Sequence, residues 1–148
     1  KSSSAKPSPA AFSIFILLLA LIVSGYLSWL KIANANAVCI HGGAFDCGTV
    51  LHSKWSEINN IPIAWLGFFT NLLILTLILL EKRVPLLQES GAILIFGVVL
   101  FAFLYSVYLV YLQAFRIQAY CVWCLTHEAL ITVLFVAWLR EILVTLNE

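Results

Sequence analysis

The sequence predicts an all-α membrane protein: a four-transmembrane-helix bundle with a long outer loop carrying a short interfacial helix. Three observations predict it. Hydrophobic residues make up 63% of the 148 positions and charged residues 10%, with a mean hydropathy of +1.04, whereas a soluble domain is nearer half apolar and a quarter charged. Four apolar runs are each long enough to cross a hydrocarbon core of about 30 Å, which takes roughly 20 helical residues. Basic residues gather at alternate ends of those runs. The net charge of +1, with no basic patch and no Gly-rich phosphate loop, implies no nucleic-acid partner. A chain that opens on Lys1 and holds no Met reads as a fragment, a processed chain or an edited one.

The length suits one domain, residues 1–148, with spans over about 10–30, 62–80, 91–112 and 121–139. The first run follows Lys1 and Lys6, as a signal peptide would, but it is too long for one and too aromatic at its far end, with Tyr26 and Trp29. The loop from about Lys31 to Ile61 is long enough to fold back over the helix ends, and the mixed pattern from Ser53 to Asn59 predicts a short amphipathic helix in it. Lys1, Lys6, Lys82, Arg83 and Arg140 fall on one side of the bundle, and Lys31, Lys54 and Arg116 on the other. The excess of basic charge puts both termini in the cytoplasm. Trp29, Trp65 and Trp123 then lie at the outer boundary, where amphipathic rings collect. Asn71, Thr76, Tyr105, Tyr108 and Tyr111 read as helix-packing or hydrogen-bonding groups.

This topology puts all four cysteines on the outer, non-cytoplasmic side, where disulfides persist. Cys39 and Cys47 lie in the first outer loop with seven residues between them, Gly42, Gly43 and Asp46 among these. Cys121-Val122-Trp123-Cys124 is a C-x-x-C motif at the start of the fourth span. There the helix N-terminus favours a thiolate, the nucleophile of disulfide exchange. As the first residue of its helix, Cys121 is expected to be the more exposed of the two. A dithiol at the rim of the membrane suits a protein that hands electrons to a lipid-soluble acceptor, and a second dithiol on the same face allows exchange between the pairs through a mixed disulfide.

Plainer readings stand beside this one. Static disulfides in both pairs are one such reading, although a C-x-x-C bridge is a tight ring and a poor staple. A zinc site from the four cysteines lacks the usual ligand spacing at Cys39 and Cys47, and His41, His52 and His127 are each more simply solvated or hydrogen-bonded. Glu128, about one turn inside the fourth span and at i+4 from Cys124, shares its helix face. It reads either as a proton relay or as a group in the wet headgroup zone, since depth decides what a charge costs there.

Cys39-x7-Cys47, then Ser53-Lys54-Trp55, then Ile61-Pro62 opening the second span, then Cys121-Val122-Trp123-Cys124, resembles the vitamin K epoxide reductase family from about Phe12 to Leu139. The resemblance is to its bacterial, archaeal or plastid branch. Proteins of the DsbB type run related chemistry with the two cysteine pairs in the opposite order. The resemblance implies an oxidoreductase acting on protein dithiols, with a membrane quinone (ubiquinone, menaquinone or phylloquinone) as co-substrate and no metal. By motif, Cys39 takes electrons from a thioredoxin-like periplasmic or luminal partner. Cys47 exchanges with Cys121, and Cys124 reacts with the quinone. Ser53, Asn59, Asn60 and Glu128 are the candidate quinone contacts.

The chain departs from the family in two places. No thioredoxin-like domain is fused within it, and Glu128 stands where vertebrate members carry tyrosine. The expected location is a prokaryotic plasma membrane with the cysteines facing the periplasm or exterior. Two other functions stay open: reduction of a quinone or of vitamin K epoxide as the main role, and a non-enzymatic membrane protein with structural disulfides.

Overall fold

A computed structural model describes residues 9–35, 46–81 and 83–147. Cys39, His41, the two loop glycines, Lys1, Lys6 and Lys82 lie outside the described residues, as does the side chain of Cys47. The protein is all-α, built on four long apolar helices: α1 (Pro9–Ala33), α3 (Ile63–Glu81), α4 (Pro85–Tyr111) and α5 (Val122–Leu146). A short helix, α2 (Cys47–Leu51), lies between α1 and α3. The four long helices meet the length and hydropathy needed to cross a membrane, and the chain is an integral membrane protein.

The helices close into a ring. α1 packs on α3 and α5, and α4 packs on the same two. On α1 the buried positions Ser13, Leu17, Ala20, Ser24, Leu27 and Leu30 recur every three or four residues, giving one inward stripe. Phe15, Ile22, Phe69 and Ile93 point outward and stay exposed. On a protein surrounded by acyl chains such a surface carries no penalty, because lipid is as apolar as the side chains.

The third span begins earlier than the expected start at Gly91. Pro85 occupies the first turn of α4, where its missing N–H is no loss, and the helix then carries Gln88 and Glu89 as its first polar turns. At its far end the chain widens into a π-helical turn, Leu112–Ile117, which stops at Gln118 in the left-handed conformation (φ 58°). The buried Gln113 joins this turn to the next helix. Its backbone oxygen accepts from Ala119 N at 3.2 Å and its side-chain Oε1 from Cys121 N at 3.0 Å. Gln113 therefore sets where α5 starts.

The outer loop differs from the expected helix over 53–59. Its helical part is α2, capped by Asp46, whose carboxylate accepts from Thr49 N at 3.1 Å and Thr49 Oγ1 at 2.7 Å. Lys54–Ser56 forms one 3-10 turn, and Glu57–Ile58 (β1) pairs antiparallel with Ile61–Pro62 (β2). The two turn residues, Asn59 and Asn60, have φ of 51° and 68°. A two-residue hairpin demands this conformation and Asn tolerates it, so the helix breaks there. Lys31 ties the loop to the end of α1, donating to Leu51 O and Ser56 Oγ, both at 2.9 Å, and pairing with Glu57 Oε1 at 3.1 Å.

Candidate functional site

Beneath this loop the four helices enclose a cavity of about 280 Å³, close to the lower edge of the roughly 300–1,000 Å³ of small-molecule sites. Val50, Leu51, Trp55, Ser56 and Ile58 cover it from the loop side. Trp55 is held from two directions, with Lys54 Nζ 5.3 Å and Arg116 Cζ 5.9 Å from its ring. Arg116 belongs to the π-helical turn, so this contact links the cover to the end of α4.

The two cysteines of the C-x-x-C motif are free thiols with different surroundings. Cys121 is fully buried, not exposed as expected, because the loop packs over it. It belongs to an apolar cluster with Leu27, Leu30, Val50, Leu51 and Ala119. Cys124, one turn on, lines the cavity. Cys121 stands one residue before the span and caps α5, its carbonyl accepting from Leu125 N at 2.9 Å. A hydrogen bond from the Cys124 thiol lowers its own thiol to about 7; burial pulls the other way, and the backbone N–H groups of Cys124 and Trp123 assist. The lowered value favours the thiolate, the form that attacks disulfides.

The outer loop reaches this point through the backbone. Asp46 N donates to Tyr120 O at 2.9 Å. Each partner is the residue just before a cysteine, Cys47 on one side and Cys121 on the other. α2 also packs on the π-helical turn.

A polar chain crosses the cavity wall. Asn71 on α3, fully buried, places Nδ2 2.8 Å from His127 Nε2, and His127 Nδ1 lies 3.2 Å from Glu128 Oε1. Glu128 is 7% exposed. It lies about 9 Å along α5 from the helix start, at 1.5 Å per residue, and it lines the cavity. Five buried side-chain polar atoms have no protein partner among the described residues, and Asn71 Oδ1, Tyr105 Oη and Glu128 Oε2 are three of them. All three of these residues line the same cavity. Buried polar atoms are normally paired, so unpaired ones grouped around one space point to a ligand.

The candidate quinone contacts divide. Glu128 lines the cavity; Ser53, Asn59 and Asn60 do not. Ser53 Oγ donates to Val50 O at 3.0 Å within the loop, and Asn59 and Asn60 are exposed turn residues. The asparagine at the cavity is Asn71, read from the sequence as a packing group. His127 and Tyr105 were passed over in the same way. Helical spacing was the available signal, since Cys124, His127, Glu128 and Ile131 are three and four residues apart on one face. No group of three or more His, Cys, Asp and Glu that could hold a metal occurs among the described residues.

Four apolar helices closed around a buried dithiol and a polar-walled cavity define a membrane-embedded dithiol protein. Compared with known families, residues 11–139 match the vitamin K epoxide reductase family. The chain belongs to that family, which implies oxidoreductase activity with a quinone.

The residues present fit such a group. An oxidised quinone offers two acceptor oxygens, and Tyr105 is a donor for one. The hydroquinone offers two donors, and Asn71 Oδ1 and Glu128 Oε2 are acceptors for them. The rest of the wall is largely apolar, with Leu66, Phe101, Leu109 and Ile131 among its side chains.

Proposed function

We propose that this chain is a quinone-linked thiol–disulfide oxidoreductase. It passes electrons from partner protein thiols through Cys39 and Cys47 to Cys121 and Cys124, and then to a membrane quinone, supporting disulfide formation. One observation carries the reading: both cysteines of one motif pack against the Val50–Leu51 end of the loop, Cys121 buried beneath it and Cys124 alone of the two lining the cavity. A static staple has no use for that division, and a relay requires it.

The chemistry follows from the division. The Cys39/Cys47 dithiol reduces the Cys121–Cys124 disulfide through a mixed disulfide between Cys47 and Cys121, which Cys39 resolves. The loop pair becomes a disulfide and the inner pair a dithiol. Closing the inner disulfide again releases two electrons and two protons. A quinone held by Asn71, Tyr105 and Glu128 supplies the acceptor for both. Trp55 and the apolar wall keep water from the thiols while this happens. Orientation by the basic residues puts the termini in the cytoplasm and the loop outside, within reach of a thioredoxin-like partner.

The test is reconstitution. Reduced protein in liposomes carrying ubiquinone, menaquinone or phylloquinone should produce hydroquinone with one Cys121–Cys124 disulfide per quinone consumed. A bridge that neither a thioredoxin-like protein reduces nor a quinone restores would assign the cysteines to structure.

A further inference from the structure

We propose that His127 and Glu128 form the proton path of this site, with Glu128 as the acid that protonates a bound quinone and His127 as the residue that positions it. The inference rests on the quinone-linked reading above and adds to it the origin of the protons.

The hydrogen-bond chain has a direction. An amide nitrogen only donates, so Asn71 Nδ2 makes His127 Nε2 an acceptor at 2.8 Å. Neutral His127 then carries its proton on Nδ1, which faces Glu128 Oε1 at 3.2 Å. Oε1 is thereby the accepting oxygen, and a proton on the carboxyl resides on Oε2, the atom left without a protein partner. The Glu128 side chain is 9% exposed and the His127 side chain 13%. A carboxyl so enclosed within a span is costly to retain unless it has work to do. One oxygen of Glu128 is held by His127 and the other is left over at the cavity. Cys124 stands one turn away on the same helix face, and both side chains line the cavity.

The step balances. Closing the Cys121–Cys124 disulfide removes two electrons and two protons from the thiols, and hydroquinone holds both. Glu128 gives one proton from Oε2 and regains one from the Cys124 thiol, so its carboxyl is unchanged after a turn. The Cys121 thiol, buried and hydrogen-bonded to Cys124, supplies the second hydroquinone proton. His127 keeps Oε1 engaged throughout.

The experiment uses the full chain in liposomes with menaquinone. Glu128→Gln keeps the shape and loses the acid. Quinone reduction at saturating menaquinone should fall about 100-fold, the low end of what general acid catalysis supplies, and by far more than any weakening of quinone binding read by quenching of tryptophan fluorescence. His127→Gln should lower the rate about 10-fold. Infrared difference spectra of the Cys124→Ala protein, which cannot turn over, should show a protonated carboxylic acid band that moves when menaquinone binds. Glu128→Gln should remove that band and His127→Gln should shift it. Carbon-13 labelling of glutamate identifies the same band if Glu128→Gln does not accumulate.

Two results overturn the proton path alone: a Glu128→Gln protein that reduces menaquinone at more than half the unaltered rate, and a carboxylic acid band that ignores the quinone. Unaltered protein that neither binds nor reduces any quinone overturns the functional reading and this inference with it.

Discussion

The two halves of the bundle are built from the same four helices and behave as opposites. In the half towards the termini each long helix contributes two apolar side chains: Ile16 and Leu17 at adjacent positions on α1, then, one turn apart, Ile74 and Ile78, Ile95 and Val99, Leu134 and Trp138. They close on each other as a packed core. In the half beneath the loop, the inward positions of the same helices carry Ser24, Asn71, Ser106 and Glu128, and there the helices surround a cavity. The difference teaches that helix length and hydropathy decide only that the chain crosses the membrane. Which inward positions are polar decides where it can hold something. The apolar half fixes the helices, and the polar half uses the geometry that this provides.

Mutations that separate the halves sharpen or break the comparison. The largest effect is expected at Cys124. Cys124→Ala should abolish quinone reduction in a protein that still folds, measured as hydroquinone formed per folded molecule; a normal rate would move the reaction elsewhere. Leu134→Ala, in the other half, should do the reverse. It opens a cavity in the packed core and should lower stability by about 2–5 kcal/mol, with the rate per folded molecule unchanged at a temperature where the protein is intact. A lost rate without lost stability would show that the halves are not separable.

A smaller effect is expected at the cover. Lys31→Met removes the three contacts that tie the loop to α1. Hydrogen bonds to charged groups are worth about 1.5–3 kcal/mol, and roughly 1.5 kcal/mol, a 10-fold change, is expected to be lost from loop docking here. Amide exchange at His52, whose N–H donates to Gly48 O, should quicken about 10-fold and the KM for quinone should rise. The smallest is a titration. Thiolate absorbance of the reduced protein should rise through a midpoint of about 7 as Cys121 ionises. Disulfide exchange should therefore be slow below that pH and level above it. Cys124→Ala removes the largest stabilising bond, so the midpoint should move up towards the ordinary thiol range near 9 and the thiolate fraction at pH 7 should fall. An unmoved midpoint would remove Cys124 from that role.

Legibility in the sequence follows the same division. Four long apolar runs specify four spans, because backbone in lipid has no alternative to helix, and the order of the cysteine pairs specifies the family. The ends were harder. Pro85 extends α4 six residues before Gly91 because local start chemistry outweighs the polarity of Gln88 and Glu89. The loop's short helix moved from 53–59 to Cys47–Leu51 because Asp46 is a strong cap and Asn59-Asn60 a strong turn. The cavity wall was read worst. Asn71 and His127 look like isolated polar residues 56 positions apart, and only the closing of the four-helix ring, which packs α1 and α4 each on α3 and α5, joins them. Cys121 was expected to be exposed from its place at a helix end, but the loop's burial of that end is a long-range contact with no local signature.

The central claim is that the C-x-x-C pair connects the outer loop to the cavity. The most direct measurement is a trap in the Cys39→Ala, Cys124→Ala protein, where Cys47 and Cys121 are the remaining thiols. A disulfide between them needs Cα atoms within about 7 Å, and the Asp46–Tyr120 backbone bond holds the preceding residues together at 2.9 Å. Under mild oxidation, with the chain cleaved between α3 and α4, the two fragments should stay joined on a non-reducing gel and separate on addition of reductant. Fragments that separate without reductant, from a protein shown to be folded, would contradict the claim.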